Sequence, residues 1–218
     1  MLSAQTNKNF EVRISNGNLP MSHIVNNYVE SFKDKLKIKL THDGNDIGTF
    51  RRFTVAAELA NSGTEVILFI DDDVIFPSTY IEQMISHYAP ETYQSGFSWS
   101  FQQGGKDYYR YRSRVRDRAS VVNYCGTGIS MVDARIFLNK NFFAAPQEAF
   151  FIEDLWLSYF AQQALGWQLR HIPLQGVVVG GGDQNALYKK IMREKKTMGK
   201  PDKADFLRIL VNKYGWKL

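Results

Sequence analysis

Residues Val66-Ile67-Leu68-Phe69-Ile70 form an unbroken apolar run of strand length and pass directly into Asp71-Asp72-Asp73. Five consecutive apolar residues leave no polar face, so such a strand has to be covered on both sides, as the inner strands of α/β folds are. It then delivers three carboxylates to the sheet edge, where α/β folds place their ligands. Strand alternation puts Asp71 and Asp73 on one side and Asp72 on the other. Their mutual repulsion calls for a counter-charge, which a hard divalent cation supplies. The plainer reading is a solvated acidic strand end, but three carboxylates behind five apolar residues favour the metal.

Around this strand, short β-rich runs alternate with helical patterns, which predicts a βαβ-built sheet with helices on its faces. The first strand is expected over 10–14 and the second over 36–40. Between them, after Pro20, Ser22 is placed to cap a helix with Val25, Val29 and Phe32 on one face. Phe50, Phe53, Ala57 and Ala60 make the stripe of a second helix, ended by Asn61-Ser62-Gly63. A third helix starts at a Thr79-x-x-Glu82 capping box, with Ile81, Met84, Ile85 and Tyr88 buried. Residues 94–124 read as an antiparallel strand pair or a long loop. An amphipathic helix spans 155–165 and ends at Gly166, a strand spans 168–172, and a last helix is capped by Asp202 with Phe206, Ile209 and Leu210 inward.

With 218 residues, 44% hydrophobic, the chain is expected to be one globular domain that needs no disulfide or structural metal. The formal charge of +5 is modest and clustered, which suggests a local anionic ligand more than a nucleic-acid coat. Cys125, the only cysteine, has no internal disulfide partner and fits a reducing compartment. The opening MLSAQTNKNF has no apolar core of signal-peptide length, and no segment reaches the ~18 apolar residues of a membrane span, so the expected location is the cytoplasm.

Three segments in order carry a resemblance to the glycosyltransferases of the GT-A fold, particularly the family 2 type. The strand 66–70 with Asp71-Asp72-Asp73 and Pro77 looks like their D-x-D strand. Thr41-His42-Asp43-Gly44-Asn45-Asp46 looks like the D-G-S-x-D turn after the second strand, and Phe151-Ile152-Glu153-Asp154-Leu155 looks like the E-D motif opening a late helix. The resemblance covers residues 10 to about 175. In overall cast the chain also resembles the capsid-glycosylating transferases of large algal DNA viruses, for which the location would be the host cytoplasm.

The resemblance implies a GT-A-like α/β fold with a central, mostly parallel sheet flanked by helices. Its divisions would be a nucleotide-binding half over 9–90, an acceptor half over 91–180, and a basic C-terminal lid and helix over 181–218, in one domain or as part of a longer multi-domain transferase. It implies metal-dependent, inverting transfer of a hexosyl or deoxyhexosyl group from a UDP-sugar to a hydroxyl of a glycan or glycoprotein, with Mn²⁺ or Mg²⁺ as cofactor. Asp43 would accept a hydrogen bond from the base, Asp72 would hold ribose or sugar, and Asp73, with Asp71 through water, would hold the metal. Asp154, with Glu153 beside it, would deprotonate the acceptor. His171 would be a third metal ligand. Ser15 and Asn16 would contact uridine, although the P-x-Y-N opening usual in family 2 is absent.

The residues add readings of their own. Glu153-Asp154 follow an apolar stretch and open a helix, where burial raises a carboxylate pKa and the helix N-terminus lowers it. Arg51 and Arg52 begin a helix about 100° apart, so one of the two is expected to face a phosphate or base. Gly126-Thr127 sits in Cys125-Gly126-Thr127-Gly128, where glycines allow a close approach to a donor sugar. Trp99 or Trp156 could stack on an acceptor sugar, though either is more often core. Arg110, Arg112, Arg114, Arg116 and Arg118 alternate, which reads as a cationic strand face or a protected edge strand. Gly180-Gly181-Gly182-Asp183 and the basic 189–200 segment resemble a lid over a diphosphate.

Two other functions compete. A phosphatase or phosphotransferase of the haloacid-dehalogenase type would use Asp71 as nucleophile and Asp73 as general acid. It leaves Asp43 and Asp154 unexplained and expects the D-x-D strand to come first. A non-catalytic polyanion-binding module would use the alternating arginines, but no specific nucleic-acid motif accompanies them.

Overall fold

A computed structural model describes residues 1–45, 47–102, 108–179, 193–194 and 201–218. In chain order the elements are β1 (Val12–Asn16), α1 (Ser22–Glu30), β2 (Ile38–His42), α2 (Arg51–Asn61), β3 (Val66–Ile70), β4 (Val74–Ile75), α3 (Tyr80–Ser86), β5 (Thr92–Ser95) and β6 (Ser98–Phe101). They continue with α4 (Tyr108–Tyr111), β7 (Arg112–Val115), β8 (Ser120–Val121), β9 (Tyr124–Cys125), β10 (Ile129–Asp133), α5 (Glu153–Tyr159), β11 (Gln168–His171), β12 (Val178–Val179) and α6 (Lys203–Asn212).

The central sheet has five strands in the order β3-β10-β5-β11-β8. It is mixed: β10 runs antiparallel to both β3 and β5, whereas β11 is parallel to β5. Strands β1 and β2 form a separate parallel pair, and β7-β6-β9 an antiparallel sheet that accounts for much of 94–124.

Strand β3 shows why its sequence has no polar face. Ile67 and Phe69 enter a cluster with Phe53 of α2, Phe137 and Phe142, while Val66, Leu68 and Ile70 pack on the other side against Tyr80, Ile81 and Met84 of α3. The first cluster is largely aromatic: Phe142 is wholly buried, with ring centroids of Phe50, Phe53, Phe137, Phe143 and Phe160 between 5.1 and 5.8 Å away. Edge-to-face contacts dominate, as the ring quadrupole favours.

Several helix starts differ from the expectation. Helix α1 begins at Ser22 after a 3₁₀ turn containing Pro20, and the Ser22 hydroxyl lies 3.2 Å from His42 Nδ1 instead of capping. At α3 the Thr79–Glu82 capping box does not form. Gln5 Oε1, from the N-terminal segment, accepts the Ile81 N–H at 2.9 Å, and Glu82 accepts from the Thr6 hydroxyl, so a distant segment meets the need the local motif was expected to meet. The helix buries Tyr80, Ile81 and Met84; of the other residues expected inside, Ile85 is exposed and Tyr88, beyond the helix end, is half-buried. Helix α5 passes into one π turn over Phe160–Ala164 before Gly166, at φ +72°, ends it. Helix α6 has the expected Asp202 cap, with Asp205 reciprocating. Among the described residues no helix is long and apolar enough to cross a membrane.

Candidate active site

The end of β3 meets the loop before β10 at close quarters. Asp71 N–H donates to Gly128 O at 2.9 Å, and a Cβ on Gly128 would overlap the Asp71 carboxylate, so any side chain there would displace Asp71 from Arg52. Asp71 Oδ1 accepts from both terminal nitrogens of Arg52, each at 3.0 Å. Arg52 Nε lies 3.8 Å from Glu153 Oε1. Glu153 in turn accepts from Thr127 Oγ1 at 2.9 Å and from the Thr49 hydroxyl. One guanidinium thus ties the first turn of α2 to the end of β3 and the start of α5.

The electrostatics follow from burial. Burial raises the Glu153 pKa, Arg52 opposes this, and the charge of Asp154 adds to the rise. Burial pulls on Arg52 in the opposite sense, but Glu153 and Asp71 outweigh it and keep the guanidinium charged. Asp73 is raised by partial burial and by the charges of Asp71 and Asp72. Asp71 has its counter-charge within the chain; among the described residues no salt bridge reaches Asp72 or Asp73.

The adjacent Arg51 points elsewhere, as a 100° step on a helix requires. It donates to the carbonyls of Gly48 (2.8 Å), Asp43 (2.6 Å) and Asn45 (3.0 Å), and its guanidinium lies against Gly17, where a Cβ would collide with it. Arg51 therefore shapes the Asp43 loop. Asp43 N–H extends the β1–β2 pairing to Asn16 O at 3.0 Å, and its Oδ1 accepts Asn45 N–H at 2.9 Å. Ser15 pairs with Thr41 one step earlier, so Ser15, Asn16 and Asp43 share one strand-end edge. Asn16 Nδ2 is 3.0 Å from His42 Nδ1.

On the far side of Glu153, Asp154 is almost buried. Its Oδ2 accepts from the Tyr124 hydroxyl and pairs with Lys203, whose ammonium also donates to Tyr124 Oη at 2.9 Å. Its Oδ1 accepts the Leu155 N–H at 2.9 Å. Tyr124 is fixed by Trp99, stacked at 4.8 Å. Gly126 O accepts from Ser95 Oγ at 2.8 Å, which pins the loop that carries Thr127.

Other expected residues fall elsewhere. His171 Nε2 faces Arg116 O at 3.2 Å. His171, Ser95, Ser130 and Phe69 lie in one cross-strand row, so His171 is three strand spacings from the β3 end, roughly 14 Å. The structure does not bring it to Asp73, because β10 and β5 lie between. Among the described residues no group of three His, Cys, Asp or Glu could hold a metal ion by itself. Trp99 and Trp156 are core residues; Trp156 Nε1 donates to Phe142 O at 2.9 Å. The arginine alternation is broken, since Arg110 lies on α4 and β7 ends at Val115. Arg112 packs 4.4 Å over the Tyr108 ring and Arg114 4.0 Å over Phe97, as on a protected edge. Asp46, the Gly180–Asp183 run and the basic 189–200 segment lie outside the described residues, apart from 193–194.

Sequence reasoning missed Thr49, Tyr124 and Lys203. Tyr124 and Lys203 stand 30 and 49 positions from Asp154, and no motif marks either.

No family model and no curated protein matches the sequence. Solved structures match it in fold. GalNAc-T7 with UDP, GalNAc and Mn²⁺ superposes at a TM-score of 0.55 and 12% identity over 98% of this chain and 50% of that one. S. aureus TarS 1-349 in complex with UDP superposes at 0.54 and 15% identity over 87% of this chain and 57% of that one. The chain thus spans about half the length of the structures it matches. At these identities the likeness is one of fold, and that fold, a mixed α/β sheet flanked by helices, is the GT-A type of the glycosyltransferases.

Proposed function

We propose that the chain is a metal-dependent, inverting glycosyltransferase that moves a hexosyl or deoxyhexosyl group from a UDP-sugar to a hydroxyl of a glycan or glycoprotein. The observation that carries this is the Arg52 bridge, which sets Asp71 at the β3 end and Glu153-Asp154 at the α5 start around one edge of the sheet. GalNAc-T7 and TarS, which share the fold, hold UDP, and GalNAc-T7 also holds Mn²⁺.

The donor set suits a hard cation: oxygen ligands only, with Asp73 raised by desolvation and by the charges of Asp71 and Asp72. Asp73 would hold it, with Asp71 contributing through water. When bound, the ion supplies positive charge against the leaving diphosphate.

The chain's own residues do the rest. Ser15, Asn16 and Asp43 offer short polar groups to the base, and Arg51 holds their loop in shape in place of touching the nucleotide. Asp72 takes ribose or sugar. Arg52, Thr49 and Thr127 fix Glu153, and Gly126 lets the backbone come close to the donor. Asp154 takes the proton: the acceptor O–H bond breaks, its oxygen bonds to the anomeric carbon from the face opposite the diphosphate, and the C–O bond to the diphosphate breaks with its electron pair leaving on the phosphate.

The test is a panel of UDP-sugars with Mn²⁺ and hydroxyl acceptors, followed by UDP release and by proton NMR of the product. Acceptor-dependent UDP release with an inverted anomeric centre is expected. Retention at that centre would contradict inversion, and no release from any UDP-sugar would contradict transfer.

A further inference from the structure

Asp154 is too well partnered for a carboxylate that only opens a helix. Its side chain is 11% exposed, and it sits against Leu155 and Tyr124, both buried. A lone carboxylate in such a place takes up a proton in preference to bearing charge. Here Lys203 reaches it from α6, a segment with no other part in the site. Both Lys203 and the Tyr124 hydroxyl converge on Oδ2, while Oδ1 carries only the Leu155 N–H. A carboxylate has about four lone-pair positions, so the free capacity is on Oδ1.

We propose that Lys203 is a positioning residue which, with Tyr124, clamps Asp154 Oδ2 and so presents Oδ1 as the oxygen that takes the acceptor proton. This rests on the transferase reading above for its catalytic half only. The clamp is built into the fold. Lys203 is the first residue of α6, its backbone set by the Asp202 cap, and α6 is anchored by Phe206, Leu207 and Leu210. The C-terminal helix therefore completes the acceptor side of the site.

The titratable groups facing Asp154 are Glu153 on its own helix, Lys203 on α6, Tyr124 on β9 and Tyr93 on β5, while Tyr108 on α4 acts on Tyr124 and Lys203. Burial pushes Tyr93 and Tyr124 well above the usual phenol range, so both stay neutral, and Tyr124 acts as a donor. Burial pulls the Lys203 ammonium down, but the charge and hydrogen bond of Asp154, together with Tyr108 and Glu153, outweigh it and the net shift is upward. Lys203 is then the one cation among them.

The test compares Lys203→Met and Lys203→Arg in the full chain. It reads the ¹³C carboxyl titration of Asp154 without substrate, the pH profile of kcat/KM, and UDP affinity. In Lys203→Met the Asp154 midpoint and the acid limb should rise together by at least ~1 pH unit, a tenfold change in proton affinity. Lys203→Arg should bring both back to within about half a unit, and UDP affinity should stay the same in both. An unmoved midpoint in Lys203→Met overturns the proposal. A moved midpoint in a protein that transfers no sugar supports the clamp and overturns the transferase reading. Should Lys203→Met not fold, Tyr124→Phe keeps the ring and removes one donor; a smaller upward shift supports the clamp, and none overturns it.

Discussion

Asp154→Asn is expected to lower transfer by about 10²–10⁴-fold while UDP binding stays near the wild-type value, because the amide cannot accept the acceptor proton. The substitution is nearly isosteric. The single amide carbonyl keeps one acceptor role, either toward the Leu155 N–H or toward Tyr124 and Lys203, and the NH2 group loses the other. The charge opposite Lys203 is lost as well, and some stability goes with it, so UDP affinity and the melting temperature should be read alongside the rate. Glu153→Gln is the informative control. Glu153 faces Arg52, Thr49 and Thr127, and altering it should weaken donor binding as well as turnover. Full transfer by Asp154→Asn would remove Asp154 as the base. Loss of UDP binding in the same variant would place it on the donor side.

Phe142→Ala is expected to cost about 3–5 kcal/mol, a large part of the roughly 5–15 kcal/mol that holds a domain together. Phe142 lies between α2, α5 and the β3 side of the sheet, wholly buried among rings whose positions are set by one another. Rigid neighbours cannot close over the space it leaves, which puts the loss at the high end for a truncation. For a chain of this size that loss corresponds to a fall in melting temperature of about 6–20 °C. The reaction geometry should survive in the folded fraction, so kcat measured well below the transition should change little. A change below about 1 kcal/mol would show that the cluster relaxes around the deletion and that the aromatic layer is not the main support of the site.

The parts of the fold that were legible in the sequence are those whose signal is local. The uninterrupted 66–70 run reads as a strand covered on both faces, and the 3.6-residue spacing marks the buried sides of α2 and α6 in part: Phe53, Ala60, Phe206 and Leu210 are buried, Ala57 and Ile209 only half-buried. Asp202 was recognisable as a cap because its partners are the next few backbone N–H groups. The features that escaped depend on distant chain. The Thr79 cap was displaced by Gln5, some seventy positions away. The place of His171 depends on strand order, and nothing in the local sequence says that β10 and β5 come between it and β3. The 100° step between Arg51 and Arg52 predicts that they part, as they do, Arg51 to carbonyls and Arg52 to Asp71; which goes where turns on the rotation of α2 over the sheet. Asp154 itself was visible through its motif. Its partners Tyr124 and Lys203 were not, because an ion pair built by packing leaves no spacing rule behind.

The most direct test of the account is calorimetric titration of the protein with UDP, first with Mn²⁺ and then with EDTA, beside the Asp73→Ala variant. The account predicts binding that requires the metal, prefers UDP to GDP and ADP, and is lost in Asp73→Ala while the melting temperature holds. No binding of UDP with or without Mn²⁺, or equal binding by Asp73→Ala, would contradict it.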